Sequence, residues 1–68
     1  TEVVEAAIER LAKAFDALQD GDMVLWDELE RVAGVSMSVR GQGRSYARRA
    51  LRKLRRPYEA VRGIGVRL

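Results

Sequence analysis

Apolar residues at Val4, Ala7, Ile8, Leu11, Phe15 and Leu18 recur at steps of three and four, which predicts one amphipathic helix over about residues 2–19. Thr1 can cap its start, Glu2 and Glu5 suit the positive end of the helix dipole, and Glu9 and Lys13 are spaced for an i,i+4 pair. Asp20-Gly21-Asp22 stops it. Met23-Val24-Leu25 is long enough only for a minimal strand and runs directly into WDELERVA, a short second helix over about 26–33 closed by Gly34. On that helix Leu25, Leu29, Val32 and Ala33 share one side, and Asp27 and Arg31 are spaced for a surface pair. Residues 35–43 carry Ser36, Ser38, Gly41 and Gly43 without any period and read as a loop. A third helix follows over about 44–56, with Ala47, Ala50, Leu51 and Leu54 on its apolar side and Pro57 beyond its end. The tail, about 58–68, has two β-prone runs around a glycine-bearing turn, which is a hairpin signal.

The third helix carries the informative chemistry. RGQGRSYARRALRKLRR, residues 40–56, holds eight Arg or Lys among seventeen residues and no carboxylate. With Ala47 set at zero on a helical wheel, Ala50, Leu51 and Leu54 fall within about 60° of it. Ser45, Arg49, Arg52 and Arg56 lie roughly opposite, flanked by Arg48 and Lys53, with Tyr46 beside Lys53. Arg44–Arg48, Arg48–Arg52, Arg52–Arg56 and Arg49–Lys53 are like-charge pairs four apart, each costing on the order of 0.2–0.5 kcal/mol. That is roughly 1–2 kcal/mol against a small domain whose whole stability is about 5 kcal/mol. A helix that only needed solubility would mix signs. An external polyanion, its phosphates spaced along the strip, explains the choice, and guanidinium forks reach phosphates and guanine edges in pairs. A solvated or internally paired face and an acidic protein partner are the competing readings.

Composition sharpens this. The 68 residues fit one small domain with a thin margin of burial. Cysteine and histidine are both absent, which removes disulfides, thiolate chemistry, the usual zinc ligand and the usual general base. No enzyme, cofactor or metal reading survives: Asp20, Asp22 and Asp27 lack calcium-loop spacing and are explained by turns and caps. No apolar run is long enough to span a membrane. The net charge of +3 is unevenly spread. Residues 1–30 hold nine carboxylates against Arg10 and Lys13, a balance of −7, whereas residues 31–68 hold eleven cations against Glu59, a balance of +10. The expectation is a basic face toward a polyanion and an acidic first helix turned away from it, free for dimerisation or a protein partner.

The order of helix, strand, two helices and hairpin, together with two local stretches, resembles the winged helix-turn-helix proteins. LWDELERVAG, residues 25–34, looks like the xxxELAxxAG second helix of winged-helix regulators; ALRKLRRPYEAVRGIGVRL, residues 50–68, is similar to the recognition helix and TVRGxGYxL hairpin of response-regulator effector domains. Those domains begin with a sheet where this chain has an acidic helix, and they have tyrosine where Val66 stands, so the architecture carries over but two-component signalling does not. The resemblance implies an α+β fold, a small winged helix-turn-helix of order α1-β1-α2-α3-β2-β3. It further implies a module of a prokaryotic or phage transcription regulator, cytoplasmic and nucleoid-associated, that binds double-stranded DNA with the third helix in the major groove and Arg62 of the wing on the adjacent backbone or minor groove.

The candidate DNA contacts are Arg40, Gly43, Arg44, Ser45, Tyr46, Arg48, Arg49, Arg52, Lys53, Arg56 and Arg62. Arg48, Arg49 and Arg52 face base edges or only phosphate, and Arg40 and Arg44 are expected phosphate clamps. Ser45 either donates to phosphate or caps the helix; Tyr46 packs at the groove wall or closes the edge of the core. Gly41-Gln42-Gly43 offers backbone amides to a phosphate or is a plain connector. Arg55 is placed to pair with the acidic first helix, and Trp26 reads as core packing rather than a stacking platform. RNA is less favoured because only Tyr46 and Tyr58 offer stacking surfaces near the basic region.

Overall fold

A computed structural model describes residues 2–37 and 42–68. Thr1 and residues 38–41, and with them the capping role expected of Thr1, lie outside the described residues. The elements run α1 (Glu2–Asp16), β1 (Met23–Leu25), α2 (Trp26–Ala33), α3 (Gly43–Leu54), β2 (Glu59–Val61) and β3 (Gly65–Arg67), an α+β fold in the expected order.

The apolar stripe of α1 buries Ala7, Ile8, Leu11, Ala12 and Phe15 against α3 and α2. The helix ends three residues earlier than its periodicity predicts. Asp22 accepts from the Gln19 amide at 2.9 Å while its own amide donates to the Gln19 carbonyl at 3.1 Å, so the chain is drawn into a turn before a further helical turn can form. Leu18 still packs against the core from that turn.

β1 places Val24 opposite Val66 of β3, and β3 also pairs with β2, all antiparallel, giving a sheet of order β1-β3-β2. Side chains opposite one another share a face, so Val24, Val66 and Ala60 line one side, and Val24 and Val66 are buried there among the helices. β1 and β3 approach closely at Gly65, where a Cβ would lie 1.9 Å from the Val24 carbonyl oxygen; no side chain fits.

α2 starts directly after β1, as expected. The Leu25 amide donates to the Glu28 carboxylate at 3.4 Å, and Gly34 closes the helix in the left-handed conformation with its amide on the Glu30 carbonyl. Leu29 and Ala33 are buried, but Leu25 is 44% and Val32 39% exposed, so the four-residue apolar side expected of α2 narrows to two. α2 packs chiefly on α1, with smaller contacts to β1 and α3, and the side that carries Leu25 and Val32 is left to solvent. The loop beyond is fastened by Met37, whose side chain is buried and whose amide donates to Glu30 Oε1 at 2.9 Å.

α3 buries Gly43, Ala47, Ala50 and Leu51, with Leu54 half-buried. It ends at Leu54 rather than 56 because Arg55 adopts φ 56°, ψ 38°. The Arg55 amide then reaches the Arg52 carbonyl and the Arg56 amide the Leu51 carbonyl, the paired bonds of a Schellman cap with arginine in the position glycine usually takes.

Candidate nucleic-acid interface

α3 projects Ser45, Arg48, Arg49, Arg52 and Lys53 into solvent, and among the described residues none of these is within ion-pair distance of a carboxylate. The two flanks of this strip differ. Arg49 and Lys53 share a shallow groove with Glu5, Ile8 and Glu9 of α1. The acidic helix therefore borders the cationic strip on one side instead of turning wholly away from it, because α1 and α3 pack as neighbours. On the other flank Arg44 and Arg48 edge a cleft of about 300 Å³ between α3 and the sheet, lined also by Trp26, Ala47, Leu51, Tyr58, Ala60 and Val66.

Arg44 is half-buried and held from two directions. Its Nε donates to the Met37 carbonyl at 2.8 Å, and its guanidinium carbon lies 4.6 Å from the centroid of the Trp26 ring. Trp26 itself is half-buried and packs against the core, while its indole N–H is buried without an acceptor among the described residues.

Arg56 does not join the outward strip. Its side chain is only 18% exposed, donates to the Phe15 carbonyl at the end of α1 and pairs with Asp20 at 2.9 Å. The pairing with the α1 end that the wheel assigned to Arg55 is made by Arg56, and Arg55 remains exposed without an ion pair among the described residues. The left-handed Arg55 accounts for both placements, because it ends the 100° progression of the helix and turns the side chains beyond Leu54 in other directions.

Gly43 is buried as the first residue of α3, where a Cβ would meet the Ser36 carbonyl oxygen at 2.2 Å. Its hydrogen side chain serves the approach of helix to loop, which explains the glycine without a phosphate. Ser45 lies inside the first turn and is not the cap; that position belongs to Gln42, which makes no side-chain capping bond. Tyr46 closes the core edge, half-buried, its hydroxyl donating to Gln42 Oε1 at 3.2 Å. Arg62 is exposed in the turn between β2 and β3, and Arg40 lies outside the described residues. Sequence periodicity missed the cleft beside Arg44 and Arg48; the signals within reach were an aromatic directly after β1 and the small Ala60 on the inward face of β2.

Among the described residues no group of three His, Cys, Asp or Glu side chains is placed to hold a metal ion, and Asp20 and Asp22 are engaged by Arg56 and the Gln19 amide. No described helix is long and apolar enough to cross a membrane. No family model, curated protein or solved structure matches the chain.

Proposed function

We propose that this chain is a winged helix-turn-helix domain that binds double-stranded DNA, with α3 in the major groove and the β2–β3 hairpin on the adjacent backbone, serving as the DNA-binding module of a prokaryotic or phage regulator. The observation that carries the reading is the row of exposed cations on α3, Arg48, Arg49, Arg52 and Lys53, which lack ion-pair partners among the described residues. Self-repulsion along that row is relieved by phosphates. Arg44 adds a guanidinium already oriented beside the same row, and Arg62 a cation on the hairpin turn.

The test is a fluorescence titration of random duplex, single strand and RNA at two or more salt concentrations. Neutralising about 4–6 phosphates predicts that log K falls with log salt at a slope near −4 to −5. Arg48→Ala, Arg49→Ala and Arg52→Ala together should abolish duplex binding while the fold persists by circular dichroism. Duplex binding that survives the triple substitution, or that ignores salt, rejects the assignment.

A further inference from the structure

The cleft between α3 and the sheet opens to solvent and has a volume of about 300 Å³, the lower end of the range for small-molecule sites. The floor is apolar, with Ala47, Leu51 and Val66 buried, and Tyr58 stands exposed on its lining. We propose that this cleft binds one unpaired nucleotide at a duplex end, the base inserted against Tyr58 and its phosphate held by Arg44 and Arg48. The proposal rests on the duplex-binding reading and specifies the form of DNA that binds best.

Charge and hydrogen bonding favour this occupant. Arg44 and Arg48 lie one helical turn apart on the cleft's edge, and neither has an ion-pair partner among the described residues. The bond from Arg44 Nε to Met37 and the stacking on Trp26 fix the guanidinium plane, leaving Nη1 and Nη2 without a hydrogen-bond partner among the described residues. These two nitrogens suit a phosphate in bidentate fashion. A stacked and paired base cannot enter a cleft between helix and sheet, so the occupant is an unpaired one. The site is continuous with the cationic strip, since Arg48 belongs to both.

Anisotropy titrations with a blunt duplex, and with the same duplex carrying a one-nucleotide 3′ or 5′ overhang, test this at fixed salt. At least one overhang should bind about tenfold more tightly, the gain expected for one stacked base. Tyr58→Ala, which removes the stacking ring, and Ala60→Leu, which fills the cleft from an exposed position, should each remove that gain and leave blunt-duplex affinity within about twofold. Trp26 is the single tryptophan, so its fluorescence should also change with deoxyadenosine monophosphate in the parent chain and not in Ala60→Leu. Equal affinity for blunt and overhanging duplexes overturns the nucleotide site while leaving duplex binding intact, as does a gain that survives Ala60→Leu. Absence of binding to every DNA overturns both. Trp26 quenching by an apolar acidic peptide but not by the mononucleotide assigns the cleft to a protein ligand and also rejects the proposal.

Discussion

The guanidinium of Arg44 stacks on the indole of Trp26 at 4.6 Å, while its Nε is tied to the Met37 carbonyl at 2.8 Å. One arginine thus joins the start of α2, the loop after it and the first turn of α3. Both interactions are partly shielded from water, where a cation–π contact and a charged hydrogen bond are each stronger than on an open surface. Arg44→Ala should therefore cost about 1–2 kcal/mol, read as a lowered urea midpoint with unchanged m-value. A change under about 0.3 kcal/mol would mean that Arg44 merely rests on the surface.

Arg56 and Asp20 form an ion pair whose two ends are unequal: the Asp20 side chain is 91% exposed and that of Arg56 18%. Removing the carboxylate with Asp20→Ala should change stability by no more than about 0.5 kcal/mol, as for other solvated pairs. Arg56→Ala also strips a donor from the Phe15 carbonyl and should cost about 1–3 kcal/mol. Neither change should alter the salt slope of duplex binding, whereas Arg48→Ala should reduce it by about 1. A comparable loss of slope on Arg56→Ala would return Arg56 to the interface.

Arg55 holds a left-handed conformation that costs an L-residue roughly 1–2 kcal/mol and glycine almost nothing. Part of the gain from substitution is offset by the greater freedom of glycine in the unfolded chain. Arg55→Gly should therefore stabilise the domain by about 0.5–1 kcal/mol, with a matching rise in midpoint. Gly43→Ala tests the opposite case, because its Cβ would press on the Ser36 carbonyl at 2.2 Å, with Met37 sulfur at 2.7 Å. That overlap should cost about 2–3 kcal/mol, and differential scanning calorimetry would show the two substitutions moving in opposite directions.

Periodicity made the inner faces of α1 and α3 legible but only half that of α2, whose bounds are nonetheless the expected ones because glycine marks its end. What failed was the placement of helix ends fixed by non-local or atypical bonds. The Asp22–Gln19 turn stops α1, and no period signals it. A left-handed arginine stops α3, where the sequence rule looks for glycine or a nearby proline, and the wheel carried past that point exchanged Arg55 with Arg56. Exposed cations such as Arg48, Arg49 and Arg52 were readable because the outward positions of α3, Ser45 apart, all carry the same charge. The cleft was not, because it arises where the small Ala60 faces α3 across a gap that no single segment encodes.

Glu5 and Glu9 lie across a shallow groove from Arg49 and Lys53, too far for ion pairs yet within the range over which charges act in dilute salt. DNA approaching that flank would meet two carboxylates that offset two of the cations. Glu5→Gln with Glu9→Gln should therefore raise duplex affinity by about three- to tenfold at roughly 0.05 M salt, with the gain shrinking as salt increases. Both side chains are exposed, so the fold should tolerate the change. The same pair of substitutions separates α3's flanks: the gain should vanish in an Arg49→Ala, Lys53→Ala background but persist when Arg44 is replaced. Titrations of these variants at two salt concentrations decide the matter, and an affinity that stays constant or falls would show that DNA does not approach along the α1 side of α3.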